Sequence, residues 1–320
     1  MQQPDSSSPP CYDLTVIIPC FEEEDVLPIF HQRITDVVRE LNMRIGLLYV
    51  NDGSADNTSD LLDEFAREPD VRCLHLSRNF GKEAAMWAGM EHANARAIIF
   101  IDADLQDPPE LIPSMIVHWV AGYDVVNMQR RKRDSDSWLK RTTATAYYRI
   151  MRVLVKDFSF PSQVSDFRLL GSAPLAALIE LKERSRVLKG LAGWIGFKSI
   201  CLQYDREGRE AGKTKWNMPN LLGLAIDSSL SFSHSPLRWF SYCAALVMTM
   251  SVIAFVGALI TGNVGYENFI LVVLALMTCG IALVGEYVGI LKVEAKGRPH
   301  YFLRKSTSRI ADSALRERSA

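Results

Sequence analysis

The chain has 320 residues, 48% of them hydrophobic and 23% charged, which excludes a disordered, collagenous or coiled-coil protein. Its 36 Lys and Arg balance 37 Asp and Glu to a net charge of -1, which argues against a dedicated nucleic-acid binder. The six cysteines show no CxxC pair and no Cys/His spacing, so we predict neither a disulfide framework nor a zinc site. Residues 1–12 are rich in Pro and Ser, lack an apolar run and are predicted to be a disordered tail.

From residue 13 onward, short apolar runs alternate with amphipathic stretches. The predicted strands are LTVIIP, IGLLYV, VRCLHL, AIIFID and DVVNM, and helices are predicted over 24–41 and after Ser54, Gly81 and Pro109. Strands separated by helices indicate βαβ crossovers, hence a mostly parallel α/β sheet of Rossmann-like type. We assign this domain to residues 13–216, with a further helix over 137–155.

Carboxylates recur where the predicted strands end. Glu23 follows the first strand, Asp52 the second, and Asp102 and Asp104 the fourth. Ligands bind an open α/β sheet at the carboxyl ends of its strands, so these acids are expected to face one crevice. Because Asp102 and Asp104 are separated by one residue, both can reach a hard divalent cation that keeps water and phosphate oxygens as its other ligands.

The last third of the chain predicts a membrane anchor. Residues 217–236 read as an amphipathic juxtamembrane helix, and 237–291 as a hairpin of two transmembrane helices. Lys and Arg are absent from 239 to 291, whereas Arg238 precedes the first span and a basic tail, 292–320, follows the second. By the positive-inside rule the domain over 13–216 and both termini are expected to be cytoplasmic. A buried helical hairpin in a soluble protein is the alternative.

Several motifs, taken in order, resemble those of a known family. VIIPCFEEE, VNDGSADNT, SRNFGKEAAMWAGM and IDADLQDPPE resemble the successive motifs of inverting family 2 glycosyltransferases with the GT-A fold. SDFRLL, AGKTKW and the closing VGEYVG and RPHYFLRK are similar to polyprenyl-phosphate glycosyltransferases, nearest the bactoprenol glucosyltransferases and more distantly the dolichol-phosphate mannose synthases. This resemblance extends from about residue 13 to residue 305.

The resemblance implies roles for residues at matching positions. The nucleotide sugar would be bound by Pro19, Phe21, Glu23, Asp52, Asp102 and Ala103. A Mg²⁺ or Mn²⁺ ion would be held by Asp102, Asp104 and Gln106. Arg130 would counter the leaving phosphate, and Asp166 of the SDFR motif would act as the catalytic base. Phosphates of the donor and the lipid acceptor would be bound by Arg209, Lys213 and Lys215.

Chemistry leaves some of these roles open. An acceptor phosphate is mostly dianionic at neutral pH, so Asp166 could orient the acceptor or the sugar, or pair with Arg168 or another neighbour. Lys82 could reach the donor or stabilise the start of a helix. Basic residues beside a membrane span are common, so Arg209, Lys213 and Lys215 could be ordinary flanking charges.

The expected activity is transfer of one hexose, glucose first, from a UDP-sugar to undecaprenyl phosphate at the cytoplasmic face of a bacterial inner membrane. The QxxRW motif of processive polysaccharide synthases is missing, which favours a single transfer. The alternatives are another sugar, such as mannose, aminoarabinose or N-acetylgalactosamine, or a catalytically silent membrane subunit. The resemblance also implies a homotetramer.

Overall fold

The computed structural model describes residues 12–131, 164–181, 188–206 and 266–308, together with isolated helical positions between 242 and 260. The predicted helix over 137–155 and the predicted juxtamembrane helix over 217–236 lie outside these residues, as does most of the first predicted span.

The described strands form one eight-stranded sheet in the order β7-β5-β6-β4-β1-β2-β3-β8. The strands are β1 (Tyr12–Cys20), β2 (Ile45–Asn51), β3 (Val71–Leu76), β4 (Ala95–Phe100), β5 (Val125–Arg130), β6 (Val164–Gly171), β7 (Ser199–Tyr204) and β8 (Leu303–Ser308). The centre is parallel, because β1 pairs with β2 and β4, and β2 pairs with β3. The strand β6 runs antiparallel to β4 and β5, and β8 runs antiparallel to β3.

Helices cover both faces of this sheet. They are α1 (Leu27–Arg39), α2 (Thr58–Phe65), α3 (Lys82–His92), α4 (Ile112–Val120), α5 (Ser172–Glu180) and α6 (Leu188–Trp194), with a 3-10 turn at Pro109–Leu111. A further long helix, α7 (Tyr266–Ala295), precedes β8. Successive strand side chains enter opposite layers: Val16 and Ile18 pack with α1, α2 and α4, whereas Ile17 packs with α3, α5 and α6. A strand buried on both faces needs apolar residues at every position, which is why LTVIIP is apolar without alternation.

The predicted mostly parallel α/β architecture of GT-A type is confirmed for the described residues, and all five predicted strands are present. Three strands were not predicted. In β6 the apolar run is short and contains Asp166 and Arg168, and LRKSTS of β8 has a single apolar residue. That segment lies within the predicted basic tail, yet it forms an edge strand because β3 offers it a free row of backbone groups.

Among the described helices, none combines the length and hydropathy needed to cross a membrane. The predicted transmembrane hairpin therefore stays a prediction.

Candidate functional site

The loop after β1 and the turn after β2 are tied together at the carboxyl end of the sheet. The backbone N–H of Glu22 donates to Ser54 Oγ, and that of Glu23 donates to Thr58 Oγ1, both at 3.0 Å. Asn51 Oδ1 accepts the N–H of Ser54 at 2.9 Å and shapes the turn from within. The segments predicted to form the nucleotide pocket therefore lie side by side, as the parallel pairing of β1 and β2 requires.

Asp52 lies buried beneath the loop that leads into α3. Its two carboxylate oxygens accept the backbone N–H groups of Phe80 at 2.7 Å and Gly81 at 2.9 Å. Burial raises the pKa of Asp52 above its ordinary value, and these two N–H groups partly oppose that rise. Asp52 was predicted to bind the nucleotide, and the structure shows that it also fixes the loop from which Lys82 projects.

Gly53 explains why the loop that leads into α3 can lie so close to the turn after β2. Its φ is +69°, and a Cβ at this position would collide with the backbone of Arg78 and Asn79. The glycine of the NDGS turn is thus required by backbone contact between the β2 and β3 ends of the crevice.

Asp102 and Asp104 follow β4 in a segment with alternating burial. Asp102, Asp104 and Gln106 are partly exposed, whereas the residues between and after them, Ala103, Leu105 and Asp107, are buried. The Gln106 N–H donates to Asp104 Oδ1 at 3.2 Å. The segment turns at Leu105, whose φ of +59° is unusual for a branched side chain. All three predicted metal ligands are therefore accessible from solvent, whereas the Ala103 side chain belongs to the core.

The Lys82 ammonium joins two of the predicted site carboxylates. Its Nζ lies 2.6 Å from Asp102 Oδ1, and it donates to Asp102 Oδ2 and Asp166 Oδ2, each at 2.7 Å. Burial alone would lower the pKa of Lys82, but attraction to Asp102 and Asp166 outweighs it and raises the pKa above its ordinary value. This pair bears on the open role of Asp166, whose carboxylate is paired with Lys82 from a distant part of the sequence. The role of Lys82 towards the donor stays open.

Beneath the acidic segment lies a second group of polar residues that was not predicted. The Tyr204 hydroxyl donates to Asp107 Oδ1, and Tyr204 also hydrogen-bonds with Arg130. Arg206 extends over the same carboxylate, with Nε 3.8 Å from Asp107 Oδ1 and Nη2 3.7 Å from Asp104 Oδ2. Burial and the nearby Asp107 raise the pKa of Tyr204 to about 12, so the phenol stays protonated.

Apart from Arg130, only Asp107 of this group carried a sequence signal, as the third Asp of IDADLQDPPE. Tyr204 and Arg206 stand at the end of β7, which pairs with β5, and no local pattern connects them with residues about a hundred positions away. Arg130, predicted to counter a phosphate, is partly buried at the end of β5 beside this group. Burial tends to lower the pKa of Arg130, but Tyr204 and Asp107 raise it above its ordinary value.

The remaining predicted site residues divide into two sets. Pro19, Phe21 and Glu23 are half-buried at the end of β1 and in the loop that follows, next to the NDGS turn. Arg209, Lys213 and Lys215 lie outside the described residues. Arg206 is described by the structure, lies three residues before Arg209 in the sequence, and contacts Asp104 of the acidic segment.

The acidic segment fits a divalent cation of the kind that shares its ligands with a bound phosphate. Carboxylate oxygens are the ligands preferred by Mg²⁺ and Mn²⁺, and one or two of them suffice where phosphates and water complete the shell. In the part of the chain that the structure describes, no group of three or more His, Cys, Asp or Glu side chains could enclose a metal. The assignment of Asp102, Asp104 and Gln106 to an ion that shares its ligands with a bound phosphate stays a prediction.

Residues 15–178 match the sequence profile of glycosyl transferase family 2. The uncharacterized glycosyltransferase sll0501 of Synechocystis sp. is 36% identical over 302 residues, covering 91% of this chain and 94% of its own length. The SfII prophage-derived bactoprenol glucosyl transferase of Shigella flexneri is 35% identical over 303 residues, covering 92% and 98%. A solved mannosyl-3-phosphoglycerate synthase from Rubrobacter xylanophilus superimposes with a TM-score of 0.49 at 17% identity, covering 71% of this chain and 74% of its own.

The family match covers half of the chain and the relatives cover nearly all of it. The residues of the crevice belong to the motifs that carried the resemblance in the sequence. The chain therefore belongs to glycosyltransferase family 2, is a glycosyltransferase, and is similar over almost its whole length to proteins named bactoprenol glucosyl transferase.

Proposed function

We propose that the enzyme transfers one hexose, glucose first, from a UDP-sugar to undecaprenyl phosphate, with inversion at the anomeric carbon. The observation that carries this proposal is the set of Asp102, Asp104, Asp166 and Lys82 at the carboxyl edge of the sheet. The names of the similar proteins from Shigella flexneri and Escherichia coli support the lipid acceptor and the sugar.

In this reaction a phosphate oxygen of the acceptor attacks C1 of the sugar from the face opposite the diphosphate. The C1–O bond to the β-phosphate breaks, UDP leaves with the electron pair, and the new C1–O–P bond has inverted configuration. The leaving group is an anion that needs stabilisation rather than a proton. A divalent cation held by Asp102 and Asp104 would supply Lewis-acid stabilisation of the diphosphate.

The protein's own residues position the reactants. Arg130 and Arg206 place guanidinium groups beside the acidic segment, where they would contact phosphate oxygens. Asp166, held by Lys82, stands next to Asp102 and would orient the sugar or the acceptor beside the anomeric carbon. An acceptor phosphate whose second pKa is near 6 is already ionised at neutral pH, so removal of a proton by Asp166 is not required.

The acceptor would reach this site from a membrane. No charged residue occurs between Arg238 and Glu267, and Glu286 is the one charged residue between Glu267 and Lys292. Apolar side chains that are 51–71% exposed repeat every three or four residues along α7: Ile270, Leu274, Met277, Ile281, Val284, Val288 and Leu291. We infer that this region anchors the enzyme in the inner membrane, with Arg209, Lys213 and Lys215 near the lipid phosphate.

The test uses the full chain in detergent. Release of UDP from UDP-glucose is expected only when undecaprenyl phosphate and Mg²⁺ or Mn²⁺ are both present, and the product should be a β-linked glucosyl phospholipid if the donor is the α-anomer. A panel of UDP- and GDP-sugars identifies the sugar. If none of the donors in the panel releases its nucleotide, the proposal is contradicted and a silent membrane subunit is favoured.

A further inference from the structure

The Lys82 ammonium lies at the carboxylate predicted to bind the metal. Both oxygens of Asp102 are engaged, Oδ1 at 2.6 Å and Oδ2 at 2.7 Å, and the same ammonium donates to Asp166 Oδ2 at 2.7 Å. The Asp102 oxygens that would coordinate a divalent cation are therefore the atoms that Lys82 holds.

The backbone of Lys82 is fixed, but its ammonium can withdraw. Asp52 holds the two preceding residues through their N–H groups, and Lys82 is the first residue of α3. The Lys82 side chain is nevertheless 36% exposed and ends in a flexible four-carbon stem. Loss of the contact with Asp102 therefore requires rotation of one side chain and no movement of the helix.

Charge makes the ammonium and a metal ion competitors. Without a cation, Asp102 and Asp166 would repel each other at the edge of the sheet, and Lys82 neutralises that repulsion. A divalent ion bound to Asp102 would stand within a few ångströms of the ammonium, and two cations at that separation repel. Binding of either cation at Asp102 therefore weakens binding of the other.

We propose that Lys82 is an exchangeable counter-ion, which holds Asp102 and Asp166 together until a divalent cation displaces it from Asp102 and leaves it beside Asp166. This inference rests on the proposed function in assigning the metal to Asp102 and Asp104. Lys82 acts as a positioning residue, because it keeps Asp166 in place while the site fills. A metal ion alone then binds weakly, because it must displace Lys82 from Asp102. UDP favours metal binding, because its phosphate oxygens add ligands that offset the loss of the Lys82–Asp102 contact.

The experiment measures Mn²⁺ binding to the full chain in detergent by electron paramagnetic resonance, with and without UDP. Lys82→Met removes the competing charge, so Mn²⁺ should bind about tenfold more tightly without UDP than it does to the parent protein. The enhancement of Mn²⁺ affinity by UDP should be smaller in Lys82→Met than in the parent. Lys82→Arg retains the charge and should show no tightening.

Two further measurements guard against misfolding and general charge effects. Lys198→Met removes another lysine, an exposed one whose Nζ lies 4.6 Å from the centre of the Tyr123 ring at the end of the sheet opposite the crevice, and its Mn²⁺ affinity should equal that of the parent. In thermal unfolding, Mn²⁺ should stabilise Lys82→Met more than the parent, because tighter binding gives a larger shift. Lys82→Gln, which keeps hydrogen-bonding capacity, provides a second neutral variant.

The inference is wrong if both neutral variants bind Mn²⁺ with an affinity equal to or weaker than that of the parent. It is also wrong if neither the parent nor any of the variants binds Mn²⁺. Failure of the proposed function is read separately, from UDP release with undecaprenyl phosphate. An active enzyme whose neutral variants bind Mn²⁺ no better contradicts the inference alone. Tighter binding in the neutral variants of a protein without transferase activity supports the inference and contradicts the proposed reaction.

Discussion

Three side chains from separate elements meet at the edge of the sheet: Lys82 begins α3, Asp102 follows β4, and Asp166 lies in β6. Two carboxylates and one ammonium bring more negative than positive charge into a partly buried place. Such a group is stable only while each carboxylate has a cation beside it, either Lys82 or another cation that takes its place. The positions of these predicted site residues therefore depend on one another in the folded protein.

At this scale the first prediction concerns the metal. Asp104→Ala removes one of the two carboxylates that would hold the ion, and it should lower the rate of glucosyl transfer about a hundredfold or more. EDTA should abolish transfer by the parent enzyme, and added Mn²⁺ should restore it. The measurement is UDP release, with thermal unfolding to confirm that the variant folds.

Asp36→Asn is the matched control for Asp104→Ala. Asp36 lies on the exposed side of α1, where its pair with Arg39 at 3.8 Å contributes little. Its transfer rate should equal that of the parent. Undiminished transfer in Asp104→Ala would show that Asp104 does not hold the ion.

The second prediction concerns the role of Asp166. If Asp166 orients a reactant, Asp166→Asn should slow single-turnover transfer by a factor that is nearly the same from about pH 5.5 to pH 8. If it removes the acceptor's proton, the variant should recover as the phosphate ionises by itself, above a pKa near 6. We expect the first result, because nearby cations such as Lys82 and Arg130 favour the dianionic phosphate. If the rate of Asp166→Asn relative to the parent enzyme rises about tenfold per pH unit below that pKa, Asp166 is the base that removes the acceptor's proton.

At the scale of elements, β8 connects the end of α7 to the catalytic sheet. It pairs antiparallel with β3, and Asp63 on α2 accepts hydrogen bonds from Lys305 Nζ and Thr307 Oγ1, both at 2.8 Å. Just before β8, the Tyr301 hydroxyl donates to Glu91 Oε2 at 2.5 Å, and the Phe302 ring lies 6.4 Å from that of Phe80. The segment after α7 therefore contacts the loop that leads to Lys82.

The third prediction concerns the attachment of β8. Burial would raise the pKa of Asp63, but Lys305 and Thr307 outweigh it and lower the pKa. A carboxyl group whose pKa is lowered on folding stabilises the folded protein at any pH above its pKa in the unfolded chain. That contribution is lost as the pH falls through the pKa in the folded protein, here below about pH 4. At neutral pH the contribution is complete. Asp63→Asn should therefore speed hydrogen exchange of the β8 amides about tenfold at pH 7.

Asp60→Asn serves as the control, because Asp60 is exposed on the same helix. Mass spectrometry of peptides covering β8 should show unchanged exchange in this variant. Equal exchange in Asp63→Asn and the parent would mean that the backbone pairing with β3 suffices to hold the strand.

At the scale of the whole molecule, the proposed reaction requires the catalytic sheet to reach an acceptor whose long apolar chain stays in a bilayer. The fourth prediction is the topology that this requires. In a background without reactive native cysteines, Asn263→Cys should react with an impermeant thiol reagent added to intact cells. Lys296→Cys, exposed just after α7, should react only after the cells are opened. The opposite labelling would show that the charge distribution was misinterpreted.

The fifth prediction is a homo-oligomer, with four copies as the expected number. The first predicted span carries small residues that permit close approach of helices, namely Ala244, Ala245, Ser251, Ala254, Gly257 and Ala258. Two spans are also a small anchor for a catalytic domain of this size. Light scattering in mild detergents and in nanodiscs should give a mass of about four chains plus the bound amphiphile, and a monomer in all of them would refute the prediction.

Local sequence determined the parallel half of the sheet and the acidic end of the crevice. Apolar runs such as LTVIIP and IGLLYV form buried strands wherever helices cover them, and right-handed crossovers then bring Asp52 and Asp102 to one edge. The accessibility of Asp102 and Asp104 agrees with the sequence argument that two acids separated by one residue can reach the same cation. These features depend on neighbours close in the chain.

Only the tertiary structure decided which charges face each other. Lys82 and Asp166 are 84 residues apart, and their contact depends on β6 inserting antiparallel between β4 and β5. Tyr204 meets Asp107 across 97 residues because β7 pairs with β5, and β8 joins β3 although its own sequence is polar. Strand partners depend on long-range packing and unpaired backbone groups rather than on local propensity. The sequence therefore identified the acids of the site and left open which of them Lys82 would contact.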